Sequence, residues 1–343
     1  MNRTKIKGLQ AFEYQHPFDR KSMVLLKRTK GISGAIKKIS EYGAESFDRA
    51  RLTGSGLRVT NTNFPVLYDM LVEATEILDI NVVPELYLNR SSLGGYTMGV
   101  DQPCLVISHQ SVDLFDEAEL MFLFGHLLSY VKSETLLYVQ VARWLSLLAQ
   151  IGTSGPLSLV TIPINLAIGR WEKMSKYSAD RAGLLCTQNT DAAASFFIKL
   201  AGQPEKLYHQ IDVDEFRRQA YDFNELEYNT GYSKFVKFMV ALEESHPPYV
   251  VRGAEFFKWI KTDNYENILL RKGSVFKDDR QRCSFCGTTT VGDENFCTNC
   301  GNDVSLEVIL CEHCECKLEE MDRFCQSCGK PVEQDEFGDD DFV

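Results

Sequence analysis

The chain has 343 residues, 44% of them hydrophobic and 25% charged, with 37 basic against 48 acidic side chains and a formal net charge of −11. That composition suits one large domain with a small one, or two ordinary ones, each able to bury a core. The acidic balance argues against non-specific binding to nucleic acid or to an anionic membrane, both of which need positive charge.

The first residues, Met1 to Tyr14, are polar and hold no apolar run, so no signal peptide is expected and the cytoplasm is the predicted location. Residues 1–265 read as one mixed, mainly helical domain. Behind Pro65, the residues Leu67, Met70, Leu71, Ala74, Ile77 and Leu78 recur at helical spacing. Two short strands are predicted at Pro84–Leu88 and Pro103–Ser108, with the glycine-rich turn Gly94-Gly95-Tyr96 between them. Asp116 caps a helix that runs through His126 to about Lys132. The stretches Leu136–Ile151 and Leu157–Ile168 are apolar but interrupted, and both fall short of the roughly 20 residues a spanning helix needs. They predict a buried helical hairpin, with surface contact between 136–168 and a membrane as the other reading. Further helices are predicted at Ala167–Cys186, Ala192–Leu200, Tyr232–Glu244 and Tyr249–Ile260. Trp144 and Trp171 read as core anchors, Cys104 and Cys186 as buried thiols, and His209 as a surface residue. Residues 266–282, with Lys272-Gly273-Ser274 and a charge run at Lys277–Arg280, read as a linker.

Beyond it the sequence repeats with a period of 28 residues. Cys283, Cys286, Cys297 and Cys300 map onto Cys311, Cys314, Cys325 and Cys328, with Phe296 and Phe324 before each third cysteine and Gly301 and Gly329 after each fourth. Each Cys-x-x-Cys knuckle presents two thiolates, and zinc takes four at tetrahedral angles. A unit of about 20 residues cannot build an adequate core, so the metal must supply its folding free energy. Residues 283–301 and 311–331 are therefore predicted to be zinc ribbons holding two structural ions. Cys316, two positions past Cys314, reads as an unligated thiol, with a substitute zinc ligand as the other reading. Zinc thiolate sites would take the net charge to about −15. Between Lys277 and Glu333 six basic residues face twelve acidic ones, which favours docking of a protein over nucleic acid. Residues 332–343 form an acidic tail predicted to be disordered.

The segment Glu119–His126 resembles the active-site helix of the HtpX-like and CaaX-prenyl-protease-like zinc metallopeptidases. His16-Pro17-Phe18-Asp19, Leu57–Thr60 with Phe64-Pro65, Gly95–Gly99, Tyr177–Leu184 and His246-Pro247-Pro248 with Arg252 are similar to further elements of that family, in family order. The resemblance covers about residues 10–260. It implies an α+β, mainly helical zincin-like domain with a small sheet, followed by the two ribbons. It also implies that Gly95–Gly99 is an edge strand beside which active members hold substrate. Those members carry His-Glu-x-x-His on the first helix and a glutamate on the second, four residues before an aspartate. Here the corresponding positions are His126, Leu127, Tyr130 and Lys176, with Asp180 retained. The general base, the second imidazole and the third ligand are all replaced, so the resemblance implies a pseudopeptidase with no zinc in this domain. A new metal site of His109, His126 and His246 is the alternative arrangement. The Lys176 ammonium is expected to stand between His126 and Asp180 in place of the ion. The preferred function is a non-catalytic module that binds an extended peptide by strand addition at Gly95–Gly99, with ribbons and tail recruiting a protein partner. The competing function is an active zinc metalloendopeptidase with an atypical site, and a purely structural scaffold is the third.

Overall fold

The computed structural model describes residues 3–29, 44–150, 157–202, 205–210, 212–225 and 247–271, with single positions at 32, 34 and 36. The chain divides into two compact units, Met1–Lys272 and Gly273–Val343, and the second falls wholly outside the described residues. Outside them also lie the predicted helix Tyr232–Glu244, His246, all eight predicted zinc ligands and the tail.

Local chemistry sets the element boundaries. After the short helix α1 (Ala11–Tyr14), helix α2 (Pro17–Arg28) starts with Pro17 in its first turn and His16 as N-cap, whose ring Nδ1 accepts a hydrogen bond from the Phe18 N–H. Helix α3 (Ala44–Ser55) leads into strand β1 (Leu57–Val59). Helix α4 (Pro65–Ile77) then begins behind Phe64, which holds a left-handed backbone at φ 62°. Strands β2 (Glu85–Asn89), β3 (Gly95–Met98) and β4 (Cys104–Ser108) follow. The short helix α5 (His109–Leu114) precedes α6 (Glu117–Lys132), whose N-terminus is closed by a capping box between Asp116 and Glu119.

The sheet order is β1-β2-β4-β3, with β2 and β4 parallel and the outer pairs antiparallel. The strand predicted from Pro103–Ser108 is thus central, and the Gly95–Gly99 segment forms an edge strand. Side chains alternate between two faces. Leu86, Leu88, Leu105 and Ile107 join the main core with α4 and α6, while Tyr87, Met98, Cys104 and Val106 pack on Leu52 of α3.

The remaining helices are α7 (Leu136–Gln150), α8 (Leu157–Thr187), α9 (Thr190–Leu200), α10 (Val213–Glu225), α11 (Tyr249–Ile260) and α12 (Asn264–Leu269), with a 3-10 turn at Glu205–Gln210. Helix α8 runs unbroken through the stretch read as a hairpin arm and the helix expected after it. No helix among the described residues is long and apolar enough to cross a membrane. Helix α12 corrects the expected linker: Ile268 is buried in the core, and Arg271 reaches Glu13 and the Gly8 carbonyl. The domain continues to Arg271 because Tyr265, Ile268 and Leu269 supply one more apolar turn before the charge run begins.

Helices α6 and α8 approach at two glycines. A Cβ on Gly125 would lie 2.6 Å from the Cys186 Cβ and 2.7 Å from the Ala182 carbonyl oxygen, and one on Gly183 would lie 2.9 Å from the Phe122 oxygen. Because two of these neighbours are backbone, the helices would have to separate. Gly125→Ala should therefore cost about 1–3 kcal/mol in chemical denaturation. Gly169→Ala, on the same helix α8 with open space at its Cβ, should be neutral or stabilising by up to about 1 kcal/mol.

Candidate functional site

The close packing of α6 on α8 brings His126 against Asp180, and α11 adds Arg252. The His126 Nδ1 lies 3.0 Å from Asp180 Oδ1. Arg252 Nε donates to Asp180 Oδ2 at 2.9 Å and its Nη2 donates to Oδ1 at 2.6 Å, a bidentate pair. All three side chains are buried. The guanidinium is sandwiched at 5.5 Å from the Phe197 ring centre and 5.2 Å from that of Tyr249.

Electrostatics fix the protonation states. Burial alone would raise the Asp180 carboxyl, but the Arg252 charge and hydrogen bonds outweigh it and hold Asp180 below the ordinary carboxylate range. Burial likewise opposes the Arg252 cation, and the Asp180 carboxylate reverses that and holds Arg252 above its usual value. For His126 burial wins over the pull of Asp180, lowering the imidazole to about 4. A neutral imidazole facing an ionised carboxylate must carry its proton on Nδ1, which leaves Nε2 as an acceptor.

The three replaced positions lie around this pair. Leu127 is buried, its carbonyl accepts a hydrogen bond from the Thr97 hydroxyl at 2.9 Å, and its side chain packs over Gly95. Tyr130 is buried with Leu136 and Ala179, and its hydroxyl lies 3.3 Å from Ser175 Oγ. Its ring meets the His126 ring edge-on at 6.2 Å. Lys176 is half-buried, with its ammonium 5.6 Å from the Tyr130 ring centre. The neighbouring Tyr130 oxygen raises the Lys176 pKa against the penalty of burial, so it stays charged. The expected bridge from Lys176 to Asp180 is corrected here. Arg252 occupies both oxygens of that carboxylate, because a planar fork on α11 matches it and a single ammionium one turn along α8 does not.

A divalent ion does not fit this donor set. One imidazole nitrogen is available, next to an aliphatic side chain, a phenol paired with serine and a cationic amine, whereas catalytic zinc takes three protein ligands. No group of three or more His, Cys, Asp or Glu side chains that could hold a metal ion occurs among the described residues. Of the alternative triad, His109 is exposed on α5 beside Asp113 at 3.6 Å, and His246 lies outside the described residues.

A second polar cluster was invisible as chemistry in the sequence, although its residues His16 and Asp19 had been singled out. The buried Asp19 accepts from Ser178 Oγ at 2.6 Å and from Trp171 Nε1 at 3.0 Å. The His16 N–H donates to the same Ser178 hydroxyl, and the His16 Nε2 lies 3.3 Å from Glu255. This cluster ties α2 and α11 to α8, so Trp171 is a core anchor with a polar function. Trp144 is only partly buried and donates to Asp48 of α3 at 3.3 Å. Cys104 and Cys186 are buried free thiols, with Cys104 pushed up to about 12 by burial.

Two outcomes follow from these contacts. The folded His126 titrates below an unfolded histidine, so its stabilising contribution is complete above about pH 6.5. That contribution is lost as pH falls towards about 4, at a total on the order of 3 kcal/mol. His126→Asn should flatten the fall in melting temperature over that window, while a slope equal to the native one would refute the assignment. Arg252→Met leaves Asp180 buried without its cation and should cost about 3–5 kcal/mol in urea denaturation.

No family model matches the chain, and no solved structure matches it. Among curated proteins, the chain is similar to the "Plastoglobule-localized metallopeptidase 48, chloroplastic" of Arabidopsis thaliana, 28% identical over 269 residues that make up 77% of each protein. Over most of its length, then, the chain is similar to a protein named as a metallopeptidase.

Proposed function

We propose that the chain is a catalytically degenerate, metallopeptidase-like protein that binds an extended peptide or protein segment along β3, with its two cysteine-rich repeats each folding around zinc to dock a partner. The observation that carries the reading is the nature of the side chains beside His126. The position of the general base is a leucine wedged against the sheet, that of the second imidazole is a tyrosine packed in an apolar cluster, and that of the third ligand is a lysine. Without a base and a metal-activated water, peptide hydrolysis loses both of its chemical drivers.

Support for strand addition comes from the register of the edge. Ser108 N–H donates to the Gly94 carbonyl, and Tyr96 and Met98 pair with Val106 and Cys104. The antiparallel alternation then turns the main chain of Gly95 and Thr97 away from β4, where an incoming strand would take it up. One observation favours the active alternative: His126 donates its Nδ1–H to a carboxylate, as metal-bound histidines do.

Metal analysis of the full chain separates the two. The proposal expects two zinc ions per chain, unchanged by His126→Ala, each lost on Cys→Ser substitution in one repeat, together with no cleavage of unfolded casein. A third zinc that disappears in His126→Ala would establish the metallopeptidase instead. Restoring Leu127→Glu, Tyr130→His and Lys176→Glu together should add a zinc site, and unchanged metal content would contradict the assigned positions.

A further inference from the structure

Near His126 the Lys176 ammonium feels the Glu172 carboxylate from one turn earlier on α8 without pairing with it directly. Asp180 is satisfied by Arg252 and by the neutral His126, while Lys176 forms no ion pair or hydrogen bond with a described carboxylate. Its ammonium is half-buried against the Tyr130 ring, where water solvates it incompletely. The His126 side chain is 9% exposed, and no hydrogen bond of its Nε2 is seen among the described residues. A donor of full positive charge, a phenol hydroxyl and a neutral acceptor nitrogen thus come from adjacent turns of α6 and α8. This group lies one residue from Leu127, whose side chain and carbonyl contact Gly95 and Thr97 of the edge strand.

We propose that Lys176 and the Tyr130 hydroxyl receive the terminal carboxylate of the peptide laid along β3, with His126 Nε2 accepting the last peptide N–H. The inference rests on the peptide-binding reading above and specifies its ligand as a chain end. A single ammonium that forms no direct ion pair with a described carboxylate matches one negative charge. A phosphate dianion would call for a second cation, and Arg252 already gives two of its donors to Asp180. Binding a carboxylate needs no covalent step and no metal, so it is compatible with the donor set that zinc does not fit.

The test is isothermal titration of the full, zinc-loaded chain with acetyl-Ala-Val-Ala-Val-Ala as the free carboxylate and as its C-terminal amide. The carboxylate should bind at least about tenfold more tightly than the amide, as a charge-assisted hydrogen bond predicts. Lys176→Met should abolish that preference, so that the two peptides bind alike. Lys176→Arg should keep part of it, and melting temperatures check that each variant folds. Acetate in excess should compete with the carboxylate peptide, and inorganic phosphate at equal concentration should compete no better. Equal binding of the two peptides, or a preference that persists in Lys176→Met, overturns the carboxylate site and leaves the strand-addition reading standing. Stronger competition by phosphate also overturns it, in favour of a general anion site. Binding of neither peptide overturns both.

Discussion

The buried Asp180 carboxylate is the constraint on which the rest of this domain depends. An ionised group at that depth is tolerated only if its oxygens are fully engaged. Three helices supply the engagement: α8 carries the carboxylate, α11 delivers Arg252, and α6 delivers the His126 Nδ1–H. Bringing α6 that close to α8 requires Gly125 and Gly183, since a methyl group at either would collide with the facing helix. The aromatic cluster of Phe122, Phe196, Phe197 and Phe256 seals one side of the arrangement and places Phe197 beneath the guanidinium. Backbone packing and electrostatics are thus one design, and neither can be changed alone.

The same arrangement bears on function. In a metal-dependent peptidase a carboxylate behind an imidazole orients the ring so that its other nitrogen meets the ion. Here the orienting pair is present, and the side chains at the other motif positions are a hydrocarbon, a phenol and an ammonium. The positive charge that balances Asp180 is carried by Arg252, covalently part of the chain and insensitive to metal supply. On the function proposed above, a site of this kind recognises a polar group and does not activate water.

Much of this was legible in the sequence, for reasons that can be named. The α6 helix announced itself through Asp116 and Glu119, a capping pair that closes its N-terminus as the spacing suggests. The central strands were visible as short apolar runs behind prolines, and the edge strand through its resemblance to a known family element. Less visible was α10, whose apolar residues are few and whose N-terminus is capped by Asp212. Helix α12 was hidden by the polar residues that flank its single buried isoleucine. At the site, the resemblance named which residues stand at the motif positions, yet pairing was misjudged. Spacing along α8 placed Lys176 near Asp180, while the true partner of Asp180 comes from 72 residues further along the chain. Such a contact depends on how α11 returns to the core, which no local pattern records.

The central claim, that His126 is an oriented but metal-free neutral imidazole, is tested most directly by nitrogen NMR of histidine-labelled full-length protein with its cysteine repeats zinc-loaded. At neutral pH the His126 ring should show a protonated Nδ1 and a bare Nε2, and excess zinc should leave both resonances in place. Movement of the Nε2 resonance to a metal-bound position on stoichiometric zinc addition, or a doubly protonated ring at neutral pH, would contradict it.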